Sequence, residues 1–200
     1  MNGYQHFFKK QRIPVPGIRW IALVIGLISI NPVFSQDMIA CRDGYVRWTS
    51  EAPLELIQAE SDNLQGIIRL SDRTFAFNIS VRSFDGFNSP LQREHFHENY
   101  LETESFSKAT FTGKILDPVD FNQPGIREVR VKGDLMIHGV TQERIIRAVI
   151  EVLAGGEFRI SAEFSVMLAD HEISIPRIVF QKIAEEIQIS VKATMLSTAP

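Results

Sequence analysis

The chain has 200 residues, 44% of them hydrophobic, with 21 Lys+Arg against 24 Asp+Glu and a formal net charge of −3. An acidic balance repels phosphate backbones, so nucleic acid is not an expected partner. With one cysteine there is no disulfide framework, and the length suits a single domain with a full core.

Residues 1–35 read as an export signal. Lys9, Lys10, Arg12 and Arg19, with no acidic residue among them, precede a short apolar run from Trp20 to Ile30. The breaker Asn31-Pro32 and then Val33-Phe34-Ser35 follow, which is the order of n-region, h-region and cleavage site. The run is shorter than the ~20 residues a transmembrane helix needs. Cleavage is expected after Ser35, leaving residues 36–200 as one mature, exported domain with a formal charge of −7. Met38-Ile39-Ala40-Cys41 faintly resembles a lipoprotein signal, but polar Asn31, Gln36 and Asp37 separate the cysteine from the apolar run. Cys41 is therefore read as a free thiol near the start of the first strand.

Beyond residue 36 the dominant period is two, which marks strands with one buried and one wet face. The first strands fall at Tyr45–Ser50 and Leu54–Leu70, the latter broken around Asp62-Asn63. Phe75, Phe77, Ile79 and Val81 form the next apolar row. A helix interrupts the pattern at about 90–101. Ser89 is a good N-cap, Pro90 fits the first helical position, and Gln92 stands where a capping box requires it. Phe111, Gly113 and Ile115 then alternate with polar residues, followed by turns at Asp117-Pro118 and Gln123-Pro124-Gly125. Val129, Val131, Leu135 and Ile137 form a strand that turns at His138-Gly139 into Arg144–Leu153. After Ala154-Gly155-Gly156 comes the longest row, Phe158 through Ile160, Ala162, Phe164 and Val166 to Leu168. A helical turn around Arg177–Ala184 would put Ile178, Phe180 and Ile183 on one face. Ile187, Ile189, Val191 and Ala193 close the chain. Many strands joined by short polar turns predict an all-β antiparallel barrel or sandwich. A barrel also leaves no open edge.

Catalytic patterns are weak. On a helix His95 and His97 point to nearly opposite sides, so a metal site would need a third ligand such as His138 or His171. There is no HExxH motif, no cysteine cluster, no G-x-S-x-G and no phosphate-binding glycine loop. Asp170-His171-Glu172, read as a strand, does not converge and is expected to be a solvated strand end. No catalytic residue, metal ligand or cofactor is expected. The feature that stands out is apolar surface: 14 phenylalanines beside two tryptophans and three tyrosines. A barrel of about eight strands either fills with its own side chains or holds one ligand, and periodicity does not choose between them.

Four stretches carry a resemblance. LQREHFHENYLETESFSKATF at residues 91–111 is similar to the hallmark helix-to-strand segment of the YceI-like family. GYVRWTSEAPLELIQAE at 44–60, VKGDLMIHGVT at 131–141 and the closing stretch Phe164–Ile189 also resemble that family, and together they span most of residues 41–196. The resemblance implies a lipocalin-like antiparallel barrel of about eight strands with one short helix. It also implies a non-catalytic periplasmic carrier of a long-chain lipid, in particular a polyisoprenoid.

The residues expected to line the tunnel are the inward rows Phe75, Phe77, Ile79, Phe111, Ile115, Leu135, Ile137, Phe158, Ile160 and Phe164. This list rests on alternation, and a one-residue register error would invert a strand's contribution. The helix is expected either to cap a mouth, offering Arg93, His95 or Asn99 to a head group, or to be a lid packed by Leu91, Phe96 and Tyr100. Two rival readings stand beside the carrier: an envelope or metal-dependent enzyme using His95, His97, His138 or His171, and a structural envelope protein with a filled barrel. A homodimer is left open, and no protein partner is named by the sequence.

Overall fold

A computed structural model describes residues 37–198; the expected leader, residues 1–35, lies outside them. Eight strands form one closed antiparallel barrel in chain order. They are β1 (Met38–Glu51), β2 (Leu56–Arg69), β3 (Thr74–Ser80), β4 (Lys108–Ile115), β5 (Gly125–Ile137), β6 (Val140–Val152), β7 (Phe158–Met167) and β8 (Glu186–Ser197). Closure comes from β8 pairing with β1 between Ile39↔Ser197 and Thr49↔Gln188. The alternation behind the predicted strands is the alternation of burial along them. On β2, for example, Ile57, Ala59, Ser61, Leu64, Gly66 and Ile68 point inward.

The strand expected to break at Asp62-Asn63 runs on as β2. The irregularity is a pair of compensating bulges against β1, where Cys41↔Gly66, Gly44↔Leu64 and Val46↔Ser61 are successive partners. One bulge puts an extra residue on β1 and the next puts an extra residue on β2, so register is restored and both faces stay in phase. Cys41, beside the first bulge, is a buried free thiol.

Because the strands run up and down in order, alternate connections share an end. One end holds the β1–β2 turn, the β3–β4 connection (81–107), the β5–β6 hairpin and the β7–β8 connection (168–185). The hairpin has two residues, His138 at φ 51° and Gly139 at φ 74°, the left-handed pair that matches strand twist.

The β3–β4 connection carries helix α1 (Pro90–His95), which widens into a π-helical turn over Phe96–Tyr100. Ser89 Oγ accepts from the Gln92 N–H at 3.2 Å, as the capping pattern predicts. The Gln92 amide oxygen, however, accepts from the N–H of Asn88, one residue earlier than a capping box requires. The connection lies along β2, because Glu60 and Asp85 exchange backbone hydrogen bonds of 2.8 and 2.9 Å.

Two other expectations change. Arg177–Ala184 makes one 3₁₀ turn, Arg177–Val179, that leaves Ile178 and Phe180 exposed, so they share no buried face with Ile183. Asp170-His171-Glu172 is no strand end: β7 stops at Met167, a 3₁₀ turn spans Leu168–His171, and His171 is fully buried.

Candidate functional site

The barrel is solid at one end and hollow at the other. At the end opposite the helix, Ile39, Val152, Phe158 and Met195 are buried and pack a floor. Phe121 adds its ring edge-on to Phe158 at 6.0 Å. Above that floor is an apolar cavity of about 460 Å³. A ligand-binding pocket is typically ~300–1,000 Å³, so this space is of ligand size. The filled barrel weighed from the sequence is therefore only half true: it describes the floor.

Nine of the ten residues expected on the lining are there: Phe75, Phe77, Ile79, Phe111, Ile115, Leu135, Ile137, Ile160 and Phe164. Phe158 is not. It points inward as alternation requires, but at the level of the floor, where its ring is packed instead of facing open space. The expected lining leaves out other wall residues to which the same alternation applies. Val46 and Trp48 on β1, Ile146 and Ile150 on β6, and Ile189 and Val191 on β8 all face the cavity. Phe84 and Phe87 also line it, and no periodicity marks them because they come from the β3–β4 connection.

The helix closes the hollow end. Phe96 stacks on Trp48 at 5.3 Å with the planes 17° apart, and Phe87 meets both rings at 5.6 and 5.1 Å. Each such pair adds about 0.5–1.5 kcal/mol beyond area burial, so the lid is held by an aromatic hub. Tyr100 faces the cavity, whereas Leu91, expected inside, is exposed. A polar clasp adds to the hub: the Glu55 carboxylate accepts from the side-chain amides of Gln92 and Asn88.

Polar lining groups gather mainly at this lidded end. Ser50, Glu55, Gln92, His95 and Lys182 are there, and the cross-strand pair Asn78 and Thr110 lies in the wall close to the same end, near the Ser80↔Lys108 pair that starts the β3–β4 connection. Of the residues offered for a head group, His95 reaches the cavity. Arg93 instead pairs with Asp85 at 3.6 Å, and Asn99 is exposed away from the lining.

The histidines do not converge. His97 lies on a separate surface cleft with Asp85, Arg93 and Glu94, its Nδ1 buried without a partner. Burial pushes its pKa down, with Arg93 and Arg82 adding to the effect. His138 Nδ1 donates to the His171 carbonyl at 3.2 Å, and His171 Nδ1 donates to the Val140 carbonyl at 3.0 Å. Among the described residues no three or more His, Cys, Asp or Glu side chains are grouped to hold a metal ion.

Comparisons with known proteins agree with this geometry. The family model described as YceI-like domain matches residues 51–195. Among solved structures, a polyisoprenoid-binding domain from Saccharophagus degradans implicated in plant cell wall breakdown superposes with a TM-score of 0.67 at 15% identity, covering 80% of this chain and 98% of that one. BcnA of Burkholderia cenocepacia superposes with a TM-score of 0.62 at 14% identity, covering 76% and 95%. At such identities the likeness is one of fold. No curated protein matches the sequence significantly.

Proposed function

We propose, from the premise that this chain belongs to the YceI-like domain family, that it is a binding protein for a long-chain lipid. The ligand class is an isoprenoid chain, held in the barrel interior without catalysis. The observation that carries this reading is the distribution of polarity: an apolar cavity of about 460 Å³ whose polar groups lie mostly at its lidded end. Such a space suits a molecule with a long apolar tail and one polar terminus. The fold is shared with a domain that binds polyisoprenoids, which supports the ligand class.

The energetics are adequate. Each buried CH₂ contributes about 0.8 kcal/mol, so ten carbons give ~8 kcal/mol. Association costs roughly 4–15 kcal/mol, and a rigid wall with a preformed cavity keeps that cost low. The pattern of residues 1–35 supports export, and we place the mature protein in the periplasm.

The test is direct. Protein purified from its native envelope is extracted with organic solvent and the extract analysed by mass spectrometry. A stoichiometric long-chain isoprenoid is expected. An extract without any long-chain lipid would sink the reading.

A further inference from the structure

Large exposed apolar side chains cluster on the rim of the lidded end. Ile178 is 91% exposed, Leu54 67% and Phe180 63%, and Leu91 and Leu56 are more than half exposed. These residues come from three separate segments, yet hydrogen bonds join the segments into one rim. The Leu54 N–H donates to the Gln181 carbonyl at 2.9 Å, tying the β1–β2 turn to the β7–β8 connection. The Glu55 carboxylate ties the same turn to α1 through Gln92. Exposed apolar residues scattered singly need no explanation, as with Ile145 on the outer face of β6 between Glu143 and Arg147, or Ile126 on β5 and Leu196 on β8 at the floor end. A contiguous apolar rim does.

The rim is continuous with the cavity. In the segment 178–183, Val179 and Ile183 line the interior while Ile178 and Phe180 face solvent, so one short stretch is apolar on both sides. Leu54 and Glu55 divide in the same way, Leu54 outward and Glu55 on the lining. An apolar surface that passes from the outside of the molecule into its cavity is a path a lipid tail can follow without entering water.

We infer that this rim, carried by Leu54, Ile178 and Phe180, docks on the surface of a lipid bilayer, from which the cavity is loaded. The inference rests on the lipid-binding reading above, because a tail that is insoluble in water resides in a membrane before it is bound. The charges select the kind of membrane surface. Arg177 and Lys182 on the rim segment are followed at once by Glu185 and Glu186, and Glu51 and Glu94 are exposed on the neighbouring segments. With no excess of positive charge, docking is driven by apolar insertion into a neutral, zwitterionic interface, not by attraction to anionic lipid.

The test compares the purified chain with the variant Leu54→Ser/Ile178→Ser/Phe180→Ser, both prepared identically. None of the three residues lines the cavity. A fluorescent long-chain prenol is offered in phosphatidylcholine vesicles or in detergent micelles, and its uptake is timed. The variant is expected to load from micelles as the parent does, but from vesicles about tenfold more slowly, as loss of three inserted side chains implies. Salt is expected to leave the vesicle rate of the parent unchanged. Equal uptake from vesicles by parent and variant overturns the rim while leaving the cavity reading intact. So does equal slowing from both sources, which would place the three residues in lid or cavity function, and so does failure of both proteins to load from vesicles while loading from micelles. A parent that takes no prenol from micelles refutes the cavity reading itself, and the rim loses its basis with it.

Discussion

The ring of Phe77 lies across Gly66 on the neighbouring strand, so closely that a Cβ at Gly66 would come within 2.1 Å of Phe77 Cδ1. Gly66 is buried and Phe77 lines the cavity, so the missing side chain on β2 is the space into which the β3 ring reclines. Glycine here shapes the cavity, since any larger residue must push the ring inward. Gly66→Ala is expected to cost about 1–3 kcal/mol as an overpacked core position. It should also weaken prenol binding by reducing the open volume. Denaturant unfolding with a lipid titration checks both, and unchanged affinity would show that Phe77 has another place to go.

The lid is the second target. Glu55→Ala removes the acceptor shared by Gln92 and Asn88 and should cost about 1 kcal/mol or less, since the aromatic hub stays in place. Exchange of bound lipid should quicken, and amide hydrogen exchange over residues 88–101 should rise. Unaltered protection there would mean that Trp48, Phe87 and Phe96 hold the lid alone.

Between β6 and β7 the ladder stops short. Only Ala148–Val152 pairs with Phe158–Ala162, and nearer the lid the strands part. Arg144 spans the gap, donating to the Ser165 carbonyl at 2.7 Å and to the Asp170 carboxylate at 3.3 Å. Gln142 adds a 2.7 Å bond to the Asp170 carbonyl. Arg144→Ala is expected to lose about 1–2 kcal/mol, because the partial exposure of Arg144 and Asp170 to solvent discounts the two charge-assisted bonds. Arg144→Lys should recover little, because one ammonium lacks the fork that reaches both acceptors. Full rescue by lysine in a denaturant midpoint would contradict this.

At the floor end two carboxylates are held below their ordinary range. Hydrogen bonds from Arg130 keep Asp117 ionised down to about 2, and those from Thr74 do the same for Asp72, also to about 2. Unfolded, both titrate near 3.8. Their stabilisation is therefore complete above that value and is lost as pH falls from about 4 through 2. Asp117→Asn should flatten the acid limb of a plot of stability against pH in that window. An unaltered limb would assign acid unfolding to other groups.

His97 acts at higher pH and on the lid. Burial lowers its pKa from the usual 6.5, so the folded state favours the neutral ring. Its lid packing is fully retained above 6.5 and weakens as pH falls below that value, because only the unfolded or opened form then takes up the proton readily. Protection over 90–101, measured against the intrinsic exchange rate at each pH, should fall on acidification in the parent and stay level in His97→Gln. Parallel pH profiles in the two proteins would remove His97 as the cause.

Which face each residue takes was readable in the sequence, because a strand's period of two is local and needs no partner. Alternation put Phe75, Phe77 and Ile79 inward, and the caps Ser89 and Pro90 marked the start of α1. Height along the barrel was not readable. Phe158 and Ile160 belong to the same inward row, yet the first packs the floor and the second lines the cavity. That difference depends on Phe121, Met195 and Val152, which approach from other strands and loops. The same holds for Phe84 and Phe87, which reach the cavity only because Asp85 pairs with Glu60 and lays their loop along β2. Local pattern determined the wall, and the long-range pairing of strands decided where that wall encloses empty space, since a void is a property of side chains meeting across the barrel and not of any one stretch of chain.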